Sequence, residues 1–381
     1  MSDYNTSPGI LNIKFEEKTL RKPPLSEIFE KVFRGKRISP QEALTLLKEA
    51  DLNSLGYLAN KIRKRLHPEK IVTFVVDRNV NYTNICITKC KFCAFYVPYE
   101  RRQEGYVLSV QEVLKKVEEL VRWGGTTLLM QGGINPDLGI DYFVKLFRAI
   151  KEKFPQVQIH SLSAPEIVYL AKKEKLTIEE TLKVLKEAGL DSLPGGGAEI
   201  LTQRVRNLIS PNKCTVDEWF EVHETAHRLG MRSTATMMFG HYETNEDIVE
   251  HLDRVRKLQD KTGGFTAFIP WTFMPGNTEM DDVEKAPPSR YLRVLALSRI
   301  FLDNFKNIQS SHVTQTMDIG VIGLYYGAND LGSVMIEENV ISSTDYKVSI
   351  PKVEDMVKAI KKAGFIPAQR DTYYNIVKVF N

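Results

Sequence analysis

Apolar residues along this chain follow two alternating rhythms. Short β-branched or apolar runs read as buried strands, and between them lie longer stretches whose apolar positions recur three and four residues apart, as on one face of a helix. The runs fall at Ile71–Val76, Thr126–Met130, Val157–Leu162, Leu190–Leu193, Arg232–Phe239, Phe265–Trp271, Ile308–Val313 and about Leu331–Met335. Helical periodicity follows most of them. Ser109-Val-Gln-Glu112 is a capping box that opens a helix to Trp123, and Thr215-Val-Asp-Glu218 opens another through Leu229. Further helices are expected over Asp141–Lys153, Pro165–Glu174, Ile178–Ala188, Asn245–Asp260, Ser289–Asn304 and Ile319–Tyr325.

Before the first strand the pattern is helical only. Ser39-Pro-Gln-Glu42 combines a capping box with proline at the first helical position and predicts a helix to about Glu49; a second follows near Leu55–Arg65. Residues 1–22 are polar and read as an arm. After the last strand, Lys352–Ala363 reads as an amphipathic helix, followed by a polar-aromatic segment. Eight strands, most followed by a helix, predict an α/β fold in which a parallel sheet closes as a TIM-type (β/α)8 barrel. An open doubly wound sheet is the alternative. The expected division is an N-terminal helical extension (1–70), the barrel (71–340) and a C-terminal helix and tail (341–381) packed on it.

Composition changes this picture little. With 43% hydrophobic and 26% charged residues the chain reads as an ordinary soluble globular protein. Its 381 residues suit a single barrel, a fold that runs from roughly 200 to beyond 400 residues. The formal charge of +4 comes from interspersed acids and bases and gives no argument for nucleic acid. No apolar run approaches the ~20 residues that span a bilayer. No apolar secretory segment opens the chain, so the expected setting is the cytoplasm.

The chemistry starts at Asn84-Ile-Cys-Ile-Thr-Lys-Cys-Lys-Phe-Cys-Ala-Phe-Tyr96. Cys86, Cys90 and Cys93 are spaced C-x3-C-x2-C, directly after the first strand. Four cysteines in 381 residues are too few for a disulfide scaffold. Structural zinc needs a second pair of ligands, and none follows. A ferredoxin-type carrier has different spacing and a fourth ligand. Three thiols alone suit a four-iron cluster with one iron left open. The fourth cysteine, Cys214, reads as a passive buried thiol.

The other unusual residues also follow strands, and in a barrel those positions gather at the C-terminal face, where active sites sit. Gly132 and Gly133 permit a ligand to approach the backbone closely. His160, Ser163 and Glu166 belong to the polar stretch that ends the third strand. Gly195, Gly196 and Gly197 offer a concave nest of N–H groups for an anion, with Glu199 and Arg206 beside them. Thr234 and Thr236 share one strand face. His241 and Glu243 stand beyond the fifth strand, where proton-transfer groups could be placed.

The cysteine spacing, with Phe92 before the last thiol, resembles the signature of the radical S-adenosylmethionine (SAM) superfamily. Asn81-Tyr-Thr-Asn-Ile-Cys86, His160-Ser-Leu-Ser-Ala-Pro-Glu166, Asp191-Ser-Leu-Pro-Gly-Gly-Gly-Ala-Glu199, Gly240-His-Tyr-Glu243 and Gly327-Ala-Asn-Asp-Leu-Gly332 resemble its menaquinone-biosynthetic (futalosine-pathway) group. Within that group Thr262–Phe273, which includes Trp271, and Pro275-Gly-Asn-Thr278 are most similar to the dehypoxanthine futalosine cyclases. The relatives include the aminofutalosine and FO synthases, and an iron–sulfur electron carrier is the non-enzyme alternative. The resemblance implies a [4Fe–4S] cluster on Cys86, Cys90 and Cys93, with SAM at the open iron. SAM cleavage would then give a 5′-deoxyadenosyl radical that takes a hydrogen from the ribose C4′ of the substrate, and the carbon radical would close onto the benzoate ring. It implies SAM contacts from Phe92, Gly132, Gly133, Ser163, Glu166, Thr234 and Thr236. Arg78, Gly195, Gly196, Gly197 and His312 are the substrate candidates. His160, Glu199, His241, Glu243 and His312 are the candidate bases. The implied partners are the small-molecule substrate and a flavodoxin- or ferredoxin-type reductant.

Overall fold

The computed structural model describes residues 24–381. The polar arm expected over residues 1–22 lies outside them. β1 (Ile71–Val75) runs through Val76 into β2 (Asp77–Val80), and the two make one long stave. Beside β2 stand, in spatial and chain order, β3 (Thr127–Met130), β4 (Gln158–Ser161), β5 (Ser192–Leu193), β6 (Arg232–Phe239), β7 (Phe265–Thr272) and β8 (Asn307–Ile308). β9 (Asp330–Ser333) pairs in parallel with the other side of β1. A parallel bridge between Gln309 and Asp330 joins the end of β8 to β9 and closes the ring. The expected barrel is present.

The predicted helices all form, with small shifts at their ends. Capping boxes at Ser39, Ser109, Thr177, Thr215 and Thr244 start five of them, each side chain accepting the N–H of the residue three positions on. Two helices went unnoticed in the sequence, Leu25–Phe33 and Gln203–Ile209. The expected seventh strand, Ile308–Val313, is shorter than predicted, at Asn307–Ile308. Gln309 N still bonds to Phe268 O of β7 (3.0 Å), but Ser310 N turns to Asp330 O (2.8 Å), so the chain changes partners there.

The tail departs most from expectation. After the helix Val353–Lys362, β10 (Ile366–Arg370) pairs in parallel with β1, from Ile71 opposite Ile366 to Val75 opposite Arg370. β3 pairs with the next stretch of the same stave, starting at Asp77 opposite Thr127. The tail strand thus fills the lower half of a gap whose upper half belongs to β3. β11 (Ile376–Val379) folds back antiparallel on β10. Pro367 and Arg370 hid this strand, because proline and charge inside a short run argue against one.

Side chains alternate across each stave. The outward set is apolar and fully buried beneath the helices: Phe74, Leu128, Ile159, Leu193, Ala235 and Phe268 are each at 0% exposure. The inward set is mostly polar, with Asp77, Asn79, Thr127, His160, Thr234 and Thr236 facing a central cavity. A barrel whose interior is polar keeps space for a ligand instead of filling it with side chains.

Candidate active site

The cavity measures about 310 Å³, within the size range of small-molecule sites. Its wall runs from Val75 and Thr127 up to Asn79, Gln131 and Trp271. Arg370, Thr372 and Tyr374 from the C-terminal segment line it too, and Arg370 is its one arginine or lysine among the described residues.

The three cysteines share one loop, stapled by a short pairing of Ile85–Cys86 with Val97–Pro98. Cys86 Sγ accepts the N–H groups of Ile134 (3.3 Å) and Thr88 (3.4 Å). Backbone N–H groups at Phe95 and Tyr96 face Cys93. Burial pushes the Cys90 thiol up to about 12, against the pull of nearby Lys213. Among the described residues no three His, Cys, Asp or Glu converge on a single-ion position. The donor set does fit a cluster: three soft thiols on one loop, each close enough to affect the others electrostatically, with N–H donors aimed at sulfur. Such donors stabilise thiolate bound to metal, and metal binding supplies the deprotonation that burial alone opposes.

The glycine after β3 is packed against this loop. A Cβ on Gly133 would lie 2.2 Å from Ile85 O. Gly132, Ser163 and Glu166 form a knot behind the cavity wall: Glu166 accepts Tyr82 Oη–H (2.6 Å), Gly132 N–H (3.2 Å) and Ser163 N–H (2.7 Å). None of these three lines the cavity. The second glycine turn does line it. Thr234 and Thr236, also lining, clasp that turn: Gly195 N–H donates to Thr234 Oγ1 (2.9 Å), and Thr236 Oγ1 donates to Gly195 O (2.6 Å). A Cβ on Gly195 would lie 2.7 Å from Thr236 N, and Gly197 holds φ +75°, which favours glycine.

Glu199 lines the cavity within a buried ionic cluster. Lys213 Nζ is 3.0 Å and Arg206 Nη1 3.4 Å from its carboxylate. Lys213 also lies over the Phe92 ring, 4.8 Å from its centroid. Burial pulls its ammonium down, but the facing Cys90 and Glu199 outweigh that and hold Lys213 above its ordinary value. A buried cation beside the cysteines was missed in the sequence, where nothing in the pattern singles out Lys213.

The candidate bases separate. His160 and His312 both line the cavity. His160 Nδ1 meets Ser192 Oγ at 2.7 Å, and burial pushes the ring down to about 3. His312 Nε2 donates to Ser333 O (2.9 Å), and burial lowers it as well. His241 and Glu243 are elsewhere, lining a shallow surface depression with Asp282 and Arg290. Glu243 accepts the N–H groups of Gly240 (2.9 Å) and His241 (2.8 Å) and so closes its own loop. Arg78 also points away from the cavity. Its guanidinium is held by Glu337 (2.9 Å), Glu119 and Lys116 O (3.2 Å).

Sequence reading missed Asp77, Arg370 and Tyr374. Asp77 accepts the Ser333 hydroxyl and Met335 N–H (3.3 Å). Burial pushes its carboxyl up to about 6. Arg370 pairs with Asp330 through Nε and through Nη2 (3.2 Å) and lies 3.9 Å from the Tyr374 ring centroid. The buried Tyr374 hydroxyl has no partner among the described residues. A signal for Asp77 existed: Asp77 and Asn79 continue the inward alternation of the first strand past Val76.

Two families match the chain, the radical SAM superfamily over residues 80–255 and the CofH/MqnC C-terminal region over residues 262–381. It is 48% identical to a cyclic dehypoxanthine futalosine synthase of Halalkalibacterium halodurans, covering 93% of this chain and 95% of that protein. It is 41% identical to an aminodeoxyfutalosine synthase of Thermus thermophilus, covering 95% and 98%. Among solved structures, HydG, a maturase of the [FeFe]-hydrogenase, superposes with a TM-score of 0.72 at 19% identity, covering 92% of this chain and 76% of that one. That last likeness concerns the fold alone.

Proposed function

This chain belongs to the radical SAM superfamily, in the branch that carries the CofH/MqnC C-terminal region, and we propose that it closes the ring of dehypoxanthine futalosine to give the cyclic product of menaquinone biosynthesis. The observation that carries this reading is the cysteine loop beside a polar barrel cavity, in a chain so similar over its length to a cyclic dehypoxanthine futalosine synthase. Members of the superfamily use a [4Fe–4S] cluster and SAM, which when bound supply a carbon radical able to remove an unactivated hydrogen.

The protein's own residues orient, exclude water and move a proton. Cys86, Cys90 and Cys93 hold the cluster, with N–H groups of Thr88 and Ile134 supporting Cys86. The wall of Gln131, Gly195–Gly197, Thr234 and Thr236 receives the SAM side, and Phe92 with Lys213 closes it. Gly132, Gly133, Ser163 and Glu166 hold that wall from behind. The substrate takes the side with Asn79, Trp271, His312 and Arg370, and the Gly195–Gly197 nest lies between the two. Arg78 steadies strand and helix from outside the pocket. A flavodoxin- or ferredoxin-type protein would be the reductant partner. No described helix is long and apolar enough to cross a membrane, and a cytoplasmic setting is part of this reading. So is the division into helical extension, barrel and C-terminal segment.

Product mass tests the proposal. Anaerobically reduced enzyme with SAM and dehypoxanthine futalosine is expected to yield 5′-deoxyadenosine and a product lighter than its substrate by two hydrogens. A product heavier than its substrate, made by addition to a second molecule, would place the chain with the aminofutalosine synthases instead.

A further inference from the structure

Among the described residues three carboxylates line the cavity, Asp77, Glu199 and Glu338, and two of them are fully engaged. Glu199 is matched by Lys213 and Arg206, one on each oxygen. Glu338 accepts Ile341 N (2.7 Å), Ser342 N (2.8 Å) and Ser342 Oγ (2.8 Å). Asp77 differs. Both of its hydrogen bonds from other residues, Ser333 Oγ and Met335 N, fall on Oδ1. No other described residue donates to Oδ2, and Asp77 lines the cavity while only 4% exposed. Burial makes the histidines poorer acceptors: it pushes the His160 ring down to about 3 and lowers His312 as well.

We propose that Asp77 Oδ2 is the proton acceptor that completes ring closure. The inference rests on the cyclase reading above. When the C4′ radical has bonded to the benzoate ring, that ring carbon still carries its hydrogen and the ring holds one odd electron. The odd electron leaves to a one-electron acceptor of the iron–sulfur class. The C–H bond then breaks, its electron pair restores the aromatic ring, and the proton goes to Oδ2, converting carboxylate to carboxylic acid. Ser333 and Met335 fix the other oxygen, so the carboxylate presents one lone-pair edge to the substrate. Burial sets its basicity close to neutral pH, the range in which a general base works best. The charged and titratable groups around it are Arg370 of β10, which favours the ionised form, Arg370's partner Asp330 of β9, and His160 and His312 on the cavity wall.

The test is Asp77→Asn in the full, cluster-loaded protein. Asparagine keeps an oxygen for Ser333 and Met335 but cannot take a proton. The variant is expected to load iron and bind substrate like the parent, and to keep forming 5′-deoxyadenosine within a few-fold. Cyclised product should fall by about 10²-fold or more. Equal product from the variant would overturn the proposal, and so would parallel loss of both products in a variant with parental iron content and substrate binding. A second readout needs no turnover: a protonated-carboxyl band in difference infrared spectra should titrate near neutral pH in the parent and vanish in Asp77→Asn. If the same band persists in the variant, Asp77 is not its source and the assignment fails. Failure of the parent itself to make 5′-deoxyadenosine with this substrate would sink the cyclase reading instead, so the two failures are distinguishable.

Discussion

Two buried carboxylates face one cavity and keep different company. Glu199 stands on the cysteine side with a lysine and an arginine against its two oxygens. Asp77 stands on the stave shared with the C-terminal strand, held on one oxygen by a hydroxyl and an N–H. Burial is similar, 7% exposure against 4%, so burial does not decide their chemistry. Neutralising partners make Glu199 a fixture that balances the charge beside the cluster loop. Neutral partners leave Asp77 with a raised proton affinity and an open oxygen. A list of polar residues at strand ends cannot distinguish these cases, because the difference lies in which elements bring the partners.

The most severe way to break the comparison is to remove the pole that Glu199 serves. Cys86→Ala, Cys90→Ala or Cys93→Ala should each abolish SAM cleavage and strip iron from the purified protein, checked by iron analysis and 5′-deoxyadenosine yield. Next comes Lys213→Met. Removing one partner of a buried ion pair costs about 3–5 kcal/mol, and here it leaves Glu199 with only the longer contact to Arg206. The expected result is a much lower melting temperature, whatever the effect on turnover.

Asp77→Asn should move stability the other way. The Asp77 carboxyl rises from 3.8 to about 6 on folding. A raised folded value favours the native state below the unfolded value, and that advantage is lost as pH climbs through the folded one. Above pH 6 the ionised aspartate therefore carries a penalty of up to about 3 kcal/mol, at about 1.4 kcal/mol per unit. The variant should melt higher than the parent at pH 8, and the gap should close near pH 4. The smallest effect belongs to Tyr374→Phe. The hydroxyl has no partner among the described residues, so its loss should change the melting temperature little or raise it slightly; a large drop would reveal a partner outside them.

The barrel was legible because strand runs and capping boxes recur in order along the chain, and Arg232–Phe239 matches its expected bounds residue for residue. The cysteines were legible because ligands on one loop are close in sequence. The pairing of β10 with β1 was not, since it joins residues near 70 to residues near 370, and the strand carries a proline. That pairing delivers Arg370 and Tyr374 to the cavity. The same limit explains His241 and Glu243. Following a strand placed them at the correct end of the barrel, but Glu243 turns onto its own loop's N–H groups. Arg78 shows the converse: next to Asp77, it points to the opposite side of the stave, as alternation requires.

One measurement reaches the centre of this account. Dehypoxanthine futalosine carrying deuterium at the ribose C4′ can be turned over by the reduced enzyme with SAM. The account predicts 5′-deoxyadenosine that carries the deuterium and a cyclised product that lacks it. Unlabelled 5′-deoxyadenosine alongside a product that retains the deuterium would contradict it.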